Sequence, residues 1–109
     1  MNLALGVLEE MILLILLMKE ETYGVEIAKE YQSRFAQSIS LPAIHVVLKR
    51  LEKKGLVYSK MGEPTAERGG RAKRLYHASN KGFAAAKQLQ EQRSDIWKSI
   101  PDMKLTFSA

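Results

Sequence analysis

The chain has 109 residues, a length that suits one domain with a modest hydrophobic core, and its formal net charge is +5. It has no cysteine, which excludes disulfides and thiolate metal sites, and we expect a reducing compartment, the cytoplasm. The positive charge is concentrated in one segment. Residues 49–74 contain nine Lys or Arg and three acidic residues, whereas the other 83 residues contain eight Lys or Arg and nine acidic residues. One basic patch on a balanced chain predicts a polyanionic partner.

The first third of the sequence predicts two helices. Residues 3–18 are apolar on most sides, which is typical of a helix buried against several neighbours. The apolar run at 11–18 is far shorter than the roughly 20 residues of a membrane span. Glu9 and Glu10 precede it where a signal peptide would carry positive charge. Residues 24–35 form the second predicted helix, with Thr22 placed to cap it. A short extended segment is predicted at 37–39.

A third helix is predicted from Ser40, its N-cap, to Gly55, which ends it. Apolar residues at 44, 47, 48 and 51 follow the i, i+3, i+4, i+7 spacing and define the buried side. Basic side chains on an exposed helix contact phosphates or guanines, and a valine can contact a thymine methyl group. The candidate DNA-binding residues of this helix are therefore Ser40, Ala43, His45, Val46, Lys49, Arg50 and Lys53.

Two strand-like runs within 56–78 predict a hairpin with a loop at 61–72. Its tip combines cations with two glycines, which permit the positive φ of a tight turn. The candidate phosphate contacts here, with one tyrosine before helix 2, are Tyr23, Arg68, Gly69, Gly70, Arg71, Lys73 and Arg74. A basic helix followed by a basic hairpin is the layout of a winged helix. The predicted fold class is α+β, mostly α: a winged helix-turn-helix with an added C-terminal helix.

That fourth helix is predicted from the cap Ser79 to about residue 100, before Pro101 breaks the pattern. One of its faces is largely apolar, and a helix this long beyond the core of helices 1 to 3 predicts pairing with a second subunit. The predicted dimer residues are Gly82, Phe83, Ala86, Leu89, Arg93, Ile96, Trp97 and Ile100. Two interpretations of Trp97 stay open, packing in the dimer core and a flat-ligand site between subunits. We therefore divide the chain into a DNA-binding domain (1–78), a dimerisation helix of the same compact unit (79–100) and a tail (101–109).

Several segments together resemble the PadR family of bacterial transcriptional regulators, especially its short members with a single C-terminal helix. They are residues 23–27, 40–48, 48–57 and 62–74, followed by Tyr76 and Gly82. The resemblance implies a homodimeric repressor on a dyad-symmetric operator, with helix 3 in the major groove and the hairpin on the phosphates. It also implies that the C-terminal helix pairs with the partner subunit, and that a small aromatic or cationic compound releases DNA in several members. This chain departs from the family at positions 23, 25, 42 and 45, so base contacts are not transferred to 25, 42 and 45.

The sequence contains no recognisable set of catalytic residues. His45 and His77 have no cysteine or close acid at metal-ligand spacing, and no glycine loop or nucleophile elbow is present. We therefore predict no enzymatic activity, no metal and no cofactor, and a sequence-specific DNA-binding transcriptional regulator. Two alternatives stay open: a winged-helix protein-interaction module, which the four hairpin cations disfavour, and a nonspecific nucleic-acid binder, which sequence competition would distinguish.

Overall fold

The computed structural model describes residues 5–64 and 72–101, which form four helices and a two-stranded antiparallel sheet. The order is α1 (Val7–Lys19), α2 (Gly24–Phe35), α3 (Leu41–Lys53), β1 (Val57–Met61), β2 (Arg74–Ala78) and α4 (Asn80–Ser99). The mostly helical fold class is confirmed. Among the residues described, no helix is both long and apolar enough to cross a membrane.

The hydrophobic core lies where α1, α2 and α3 meet. The whole predicted stripe of α3 is buried, with Ile44, Leu48 and Leu51 fully inaccessible and Val47 nearly so. Each such side chain contributes about 1.5–3 kcal/mol through removal of its apolar surface from water. This burial fixes the rotation of α3, so its opposite side faces solvent. The remaining core members from the helices include Ile12, Leu13, Leu16, Ile27, Ala85 and Ala86.

The ends of α3 and α4 follow local capping rules. The Ser40 hydroxyl accepts a hydrogen bond from the Ala43 N–H (3.2 Å), and the Ser79 hydroxyl accepts one from the Gly82 N–H (3.0 Å). These side chains satisfy N–H groups that have no partner inside a helix. Gly55 has φ +76°, the left-handed conformation that ends α3 as predicted.

Thr22 does not cap α2, and this prediction is wrong. The N-cap is Tyr23, without a side-chain cap, while Thr22 is buried and its hydroxyl donates to Glu26 Oε1 (2.8 Å). The Thr22 backbone forms a bridge with Tyr76 of β2 through N···O distances of 3.2 and 2.7 Å. The turn between α1 and α2 therefore extends the sheet by one position. The predicted extended segment at 37–39 has no regular secondary structure and no bridge.

The hairpin strands pair in the register Val57↔Ala78 to Met61↔Arg74. The Gly62 N–H donates to the Lys73 carbonyl (2.7 Å) and continues the ladder beyond the named strands. The ladder confirms the predicted strands and places Lys73 and Arg74 at the base of the loop. The predicted hairpin tip, Arg68 to Arg71, lies outside the described residues.

Candidate nucleic-acid interface

The outward side of α3 forms the centre of the candidate site. His45, Val46, Lys49, Arg50 and Lys53 are all exposed, and Val46 keeps 50% of its surface accessible although it is apolar. Because the buried stripe holds the other side of the helix in the core, these side chains project together into solvent. The structure thus brings the predicted contacts of this helix onto one face.

Ser40 and Ala43 mark the N-terminal end of that face. Ala43 is half-buried, and its N–H is held by the Ser40 hydroxyl. A hydroxyl that accepts one hydrogen bond can still donate its own proton, so capping is compatible with a phosphate contact by Ser40. The first turn of α3 also carries the positive end of the helix dipole, which favours an anion there.

His45 packs across the start of α2. A Cβ atom added to Gly24 would lie 3.4 Å from both Cε1 and Nε2 of the His45 ring, and 3.7 Å from Leu41 Cδ2. These are ordinary van der Waals distances, so the imidazole packs closely over Gly24 between the two helices. His45 remains exposed overall, so the contact orients the ring without removing it from the surface.

Lys73 and Tyr23 form a contact that the sequence pattern did not predict. The Lys73 ammonium lies 4.0 Å from the centroid of the Tyr23 ring, a cation–π geometry. Tyr23 is the N-cap of α2, so this contact holds the base of the hairpin loop beside the positive end of a second helix. Two predicted phosphate contacts, 50 residues apart, therefore lie side by side.

Arg74 joins the hairpin to the α3 face. Its Nη1 donates to Ser59 Oγ (3.1 Å) on the paired strand, and the residue is exposed. A cleft between α3 and β2 contains both helix and hairpin candidates. Its lining residues are His45, Val46, Lys49, Glu52, Arg74 and Tyr76.

Tyr76 and Glu52 lie in this cleft although neither was among the predicted contacts. Tyr76 is buried, and that burial, followed by the nearby Glu52 carboxylate, raises the pKa of the phenol above its ordinary value of 10.0. Tyr76 is therefore a neutral hydroxyl at the floor of the cleft. Glu52 adds a carboxylate to a cleft whose other charged lining residues are Lys49 and Arg74. The periodicity of α3 could have placed Glu52 beside Lys49, but not beside the hairpin.

Two of the predicted dimer residues are buried within the single chain. Gly82 packs so closely on the turn after α3 that an added Cβ would overlap the Leu56 carbonyl oxygen, and Ala86 is 5% exposed. The prediction that this face lacks cover within one subunit is therefore wrong at Gly82 and Ala86. The physical reason is their small size, which lets α4 approach the core closely.

The rest of the predicted dimer face behaves differently along α4. Leu89 is half-buried, and Arg93 reaches back to Glu10 of α1, with Nη2 and Oε1 2.5 Å apart. The large side chains stay exposed: Phe83 57%, Ile96 65%, Trp97 74% and Ile100 47%. The described residues hold no group of three or more His, Asp or Glu that could bind a metal ion.

The family model for the PadR-like transcriptional regulators matches residues 12–88. The chain belongs to this family. PadR-like proteins are DNA-binding regulators of transcription rather than enzymes, which agrees with the basic face and with the predicted absence of catalysis. No curated protein matches this PadR-like chain.

Solved structures of other transcriptional regulators, two of them PadR-like, have the same fold. A transcriptional regulator from Clostridium thermocellum is 26% identical with a TM-score of 0.68, and the match covers 84% of this chain and 86% of that one. A PadR family regulator from Clostridium difficile is 27% identical with a TM-score of 0.64, covering 95% of this chain and 100% of that one. A PadR-like transcription factor from Bacteroides fragilis is 22% identical with a TM-score of 0.76, covering 86% of each chain. The winged-helix fold is thus shared over nearly the whole PadR-like chain.

Proposed function

We propose that this PadR-like chain acts as a homodimeric repressor that binds a dyad-symmetric operator. The observation that carries the proposal is the exposed basic side of α3, which forms a cleft with Arg74 of the hairpin. The contact between Lys73 and Tyr23 at the base of the hairpin loop adds further support. Residues 1–78 bind DNA, 79–100 pair the subunits, and the dimer works in the cytoplasm.

In this arrangement α3 lies in the major groove, which is wide enough for a helix, and the hairpin follows the neighbouring backbone. Arg50 and His45 read base edges, Val46 contacts a thymine methyl group, and Lys49 and Lys53 contact phosphates. The hairpin-tip residues Arg68, Gly69, Gly70 and Arg71 contribute further phosphate contacts by charge and close backbone approach. Ser40 and Ala43 approach the backbone at the start of α3.

Selection of genomic fragments by the purified protein, followed by competition with random DNA, tests sequence-specific binding. Arg50→Ala should then reduce the preference for the selected site by about 1–3 kcal/mol, because it removes a base contact. Lys87→Ala, an equal charge change on the exposed part of α4, is the control and should keep the preference. Equal binding of all fragments would support the nonspecific alternative, and no DNA binding would support the protein-interaction module. Transcription in vitro from a promoter carrying the site should fall when the protein is added, whereas a rise would indicate an activator.

The dimer rests on the exposed apolar residues of α4. Ile96 and Trp97 keep 65% and 74% of their surface accessible in one chain, and Ile100 after the helix and Phe83 near its start are exposed as well. Leu89 and Arg93 lie on the same helix between them. A second copy that covers these residues would bury large apolar surfaces.

Ile96→Glu places a charge at the centre of this surface and should produce a folded monomer in sedimentation velocity experiments. Lys98→Glu adds the same residue on the other side of α4 and should remain a dimer. A dimeric Ile96→Glu protein would show that the subunits pair elsewhere.

An effector is the last element of the proposal. Two Trp97 rings that approach each other across the dimer axis would form the walls of a slot for a flat aromatic compound. Binding would favour one separation of the two α3 helices. It would weaken DNA binding only to the extent that the compound prefers a separation that does not fit the operator over the one that does. Trp97 is the sole tryptophan, so quenching of its fluorescence by planar dyes or phenolic acids reports occupancy. Quenching without loss of operator affinity would contradict a regulatory role, and no quenching would leave Trp97 as dimer core.

A further inference from the structure

Two adjacent carboxylates in the first turn of α1 are buried. Glu9 is 9% exposed and Glu10 is 3% exposed. The Glu9 carboxylate lies 2.7 Å from the Lys54 ammonium, directly after α3, and the Glu10 carboxylate lies 2.5 Å from the Arg93 guanidinium of α4. The first turn of α1 therefore contacts both the end of the DNA-reading helix and the helix that carries the exposed apolar surface.

The two side chains of the Glu10–Arg93 pair differ in environment. The Glu10 side chain is 4% exposed, whereas that of Arg93 is 51% exposed. Within the described residues, Glu10 Oε1 has no solvent contact and no well-oriented hydrogen bond. The charge of Arg93 is thus the compensation that the structure shows for a buried carboxylate. A buried carboxylate without a neighbouring positive charge is strongly unfavourable. The ion pair therefore stabilises the packing of α4 against α1.

The pair also has a particular position along α4. Gly82 packs on the Leu56 carbonyl at the start of the helix, and Arg93 follows eleven residues later, about 16 Å along the axis. Beyond Arg93, residues 95–100 are exposed. A close steric contact at one point and an ionic contact at a second point are sufficient to define the direction of a helix axis.

We propose that Glu10 and Arg93 are a positioning pair that fixes the angle of α4 and thereby the operator half-site spacing that the dimer accepts. The proposal rests on the proposed pairing of subunits through α4. A shift of about 1 Å at Arg93 would rotate α4 by roughly 3–4° about Gly82. Each recognition helix lies about 17 Å from the dyad when half-sites are one turn apart, so this rotation moves it by about 1 Å.

Affinity for a series of operators, with half-site spacing changed one base pair at a time, tests the proposal. Wild-type protein should prefer one spacing, and Arg93→Gln and Glu10→Gln should lose about fivefold or more of that preference or shift its optimum. Arg93→Lys keeps the charge and should recover part of the preference. The matched control is Arg34→Gln, which breaks an exposed Arg–Glu contact of 2.7 Å with Glu30 on α2 and should leave the spacing profile unchanged. Unchanged profiles in both Glu10 and Arg93 variants would overturn the positioning role.

Hydrogen exchange of the free protein gives a readout that does not need DNA. Amides of residues 90–99 should exchange faster in Arg93→Gln than in wild type, whereas those of residues 83–87, close to the Gly82 contact, should not change. Equal exchange in the two proteins would overturn the proposal. A wild-type protein without any spacing preference would instead count against the proposed dimer, and hydrogen exchange would still decide whether Arg93 holds α4.

Discussion

Replacement of Gly82 by alanine is the sharpest test of how α4 is attached. In an exposed helix this change stabilises by about 1 kcal/mol, because alanine has the higher helix propensity. Here the added Cβ would overlap the Leu56 carbonyl oxygen and lie 3.1 Å from the carbonyl carbon and 3.3 Å from Leu13 Cδ1. The obstacle is backbone, so no change of side-chain rotamer can remove it.

The size of the effect follows from what must move. Forcing a methyl group into a packed site costs about 1–3 kcal/mol. If α4 moves away instead, two hydrogen bonds lengthen: the Ser79 N–H to the Leu56 carbonyl (2.9 Å) and the Ser79 hydroxyl to the Gly55 carbonyl (2.7 Å). Each contributes about 1 kcal/mol. By either route about 2 kcal/mol is lost, and after the gain of about 1 kcal/mol in helix propensity we expect a net loss of about 1 kcal/mol, which lowers Tm by about 4–8 °C in a domain of this size.

Thermal and urea unfolding of Gly82→Ala, followed by circular dichroism, measures this loss. The matched control is Gly24→Ala, where the nearest atoms to a new Cβ are movable His45 ring atoms at 3.4 Å. That variant should stay within about 0.5 kcal/mol of wild type, because its new methyl group meets only ordinary van der Waals contacts. A Gly82→Ala protein that is as stable as wild type would refute the close approach of α4 to the turn after α3.

Two further predictions concern charge. Lys73→Ala and Arg74→Ala should weaken binding to operator and random DNA alike. Each should lower the slope of log K against log salt by about 0.9 for each phosphate that is no longer neutralised. The control is Lys87→Ala, and a slope as unchanged as that of the control would show that the base of the hairpin does not contact DNA. The second concerns Glu9, whose burial alone would raise its pKa but whose hydrogen bonds from Lys54 and from the backbone at the start of α1 bring the pKa below its ordinary 4.5. A carboxylate with a lower pKa in the folded protein stabilises the fold fully at pH values above its pKa in the unfolded chain. This stabilisation is lost as the pH falls through its pKa in the folded protein. The difference in unfolding free energy between wild type and Lys54→Met should therefore shrink as the pH falls below the ordinary carboxyl pKa of 4.5, and a difference that is constant with pH would contradict this.

Predictions from the sequence were accurate where local pattern determines the structure. The spacing of the apolar residues in α3 identified its buried stripe, and the capping residues Ser40 and Ser79 marked the starts of α3 and α4. Both features depend on neighbours within one or two helical turns. The exposed candidates on α3 follow from the same periodicity.

Features that depend on distant residues could not be predicted in this way. Thr22 has the chemistry of a helix cap, but its backbone pairs with Tyr76, 54 residues away. Likewise, Lys73 and Tyr23 were each predicted to contact phosphates. Their cation–π contact with each other depends on how the hairpin packs against the start of α2. Sequence spacing contains no information on that return.

On α4, a single exception to the local pattern, Arg93, indicates a contact with a distant residue. Arg93 interrupts an apolar stripe, and in the sequence this looks like a defect of a pairing surface. Glu9 and Glu10 introduce two acids at the start of an otherwise apolar helix. Charged residues are almost never fully buried without a partner, so an isolated base in one apolar face and acids in another are mutual candidates for contact. The structure pairs Glu10 with Arg93 and Glu9 with Lys54, and α1 is thereby connected both to the end of α3 and to α4 through ion pairs that a search for apolar contacts alone would miss.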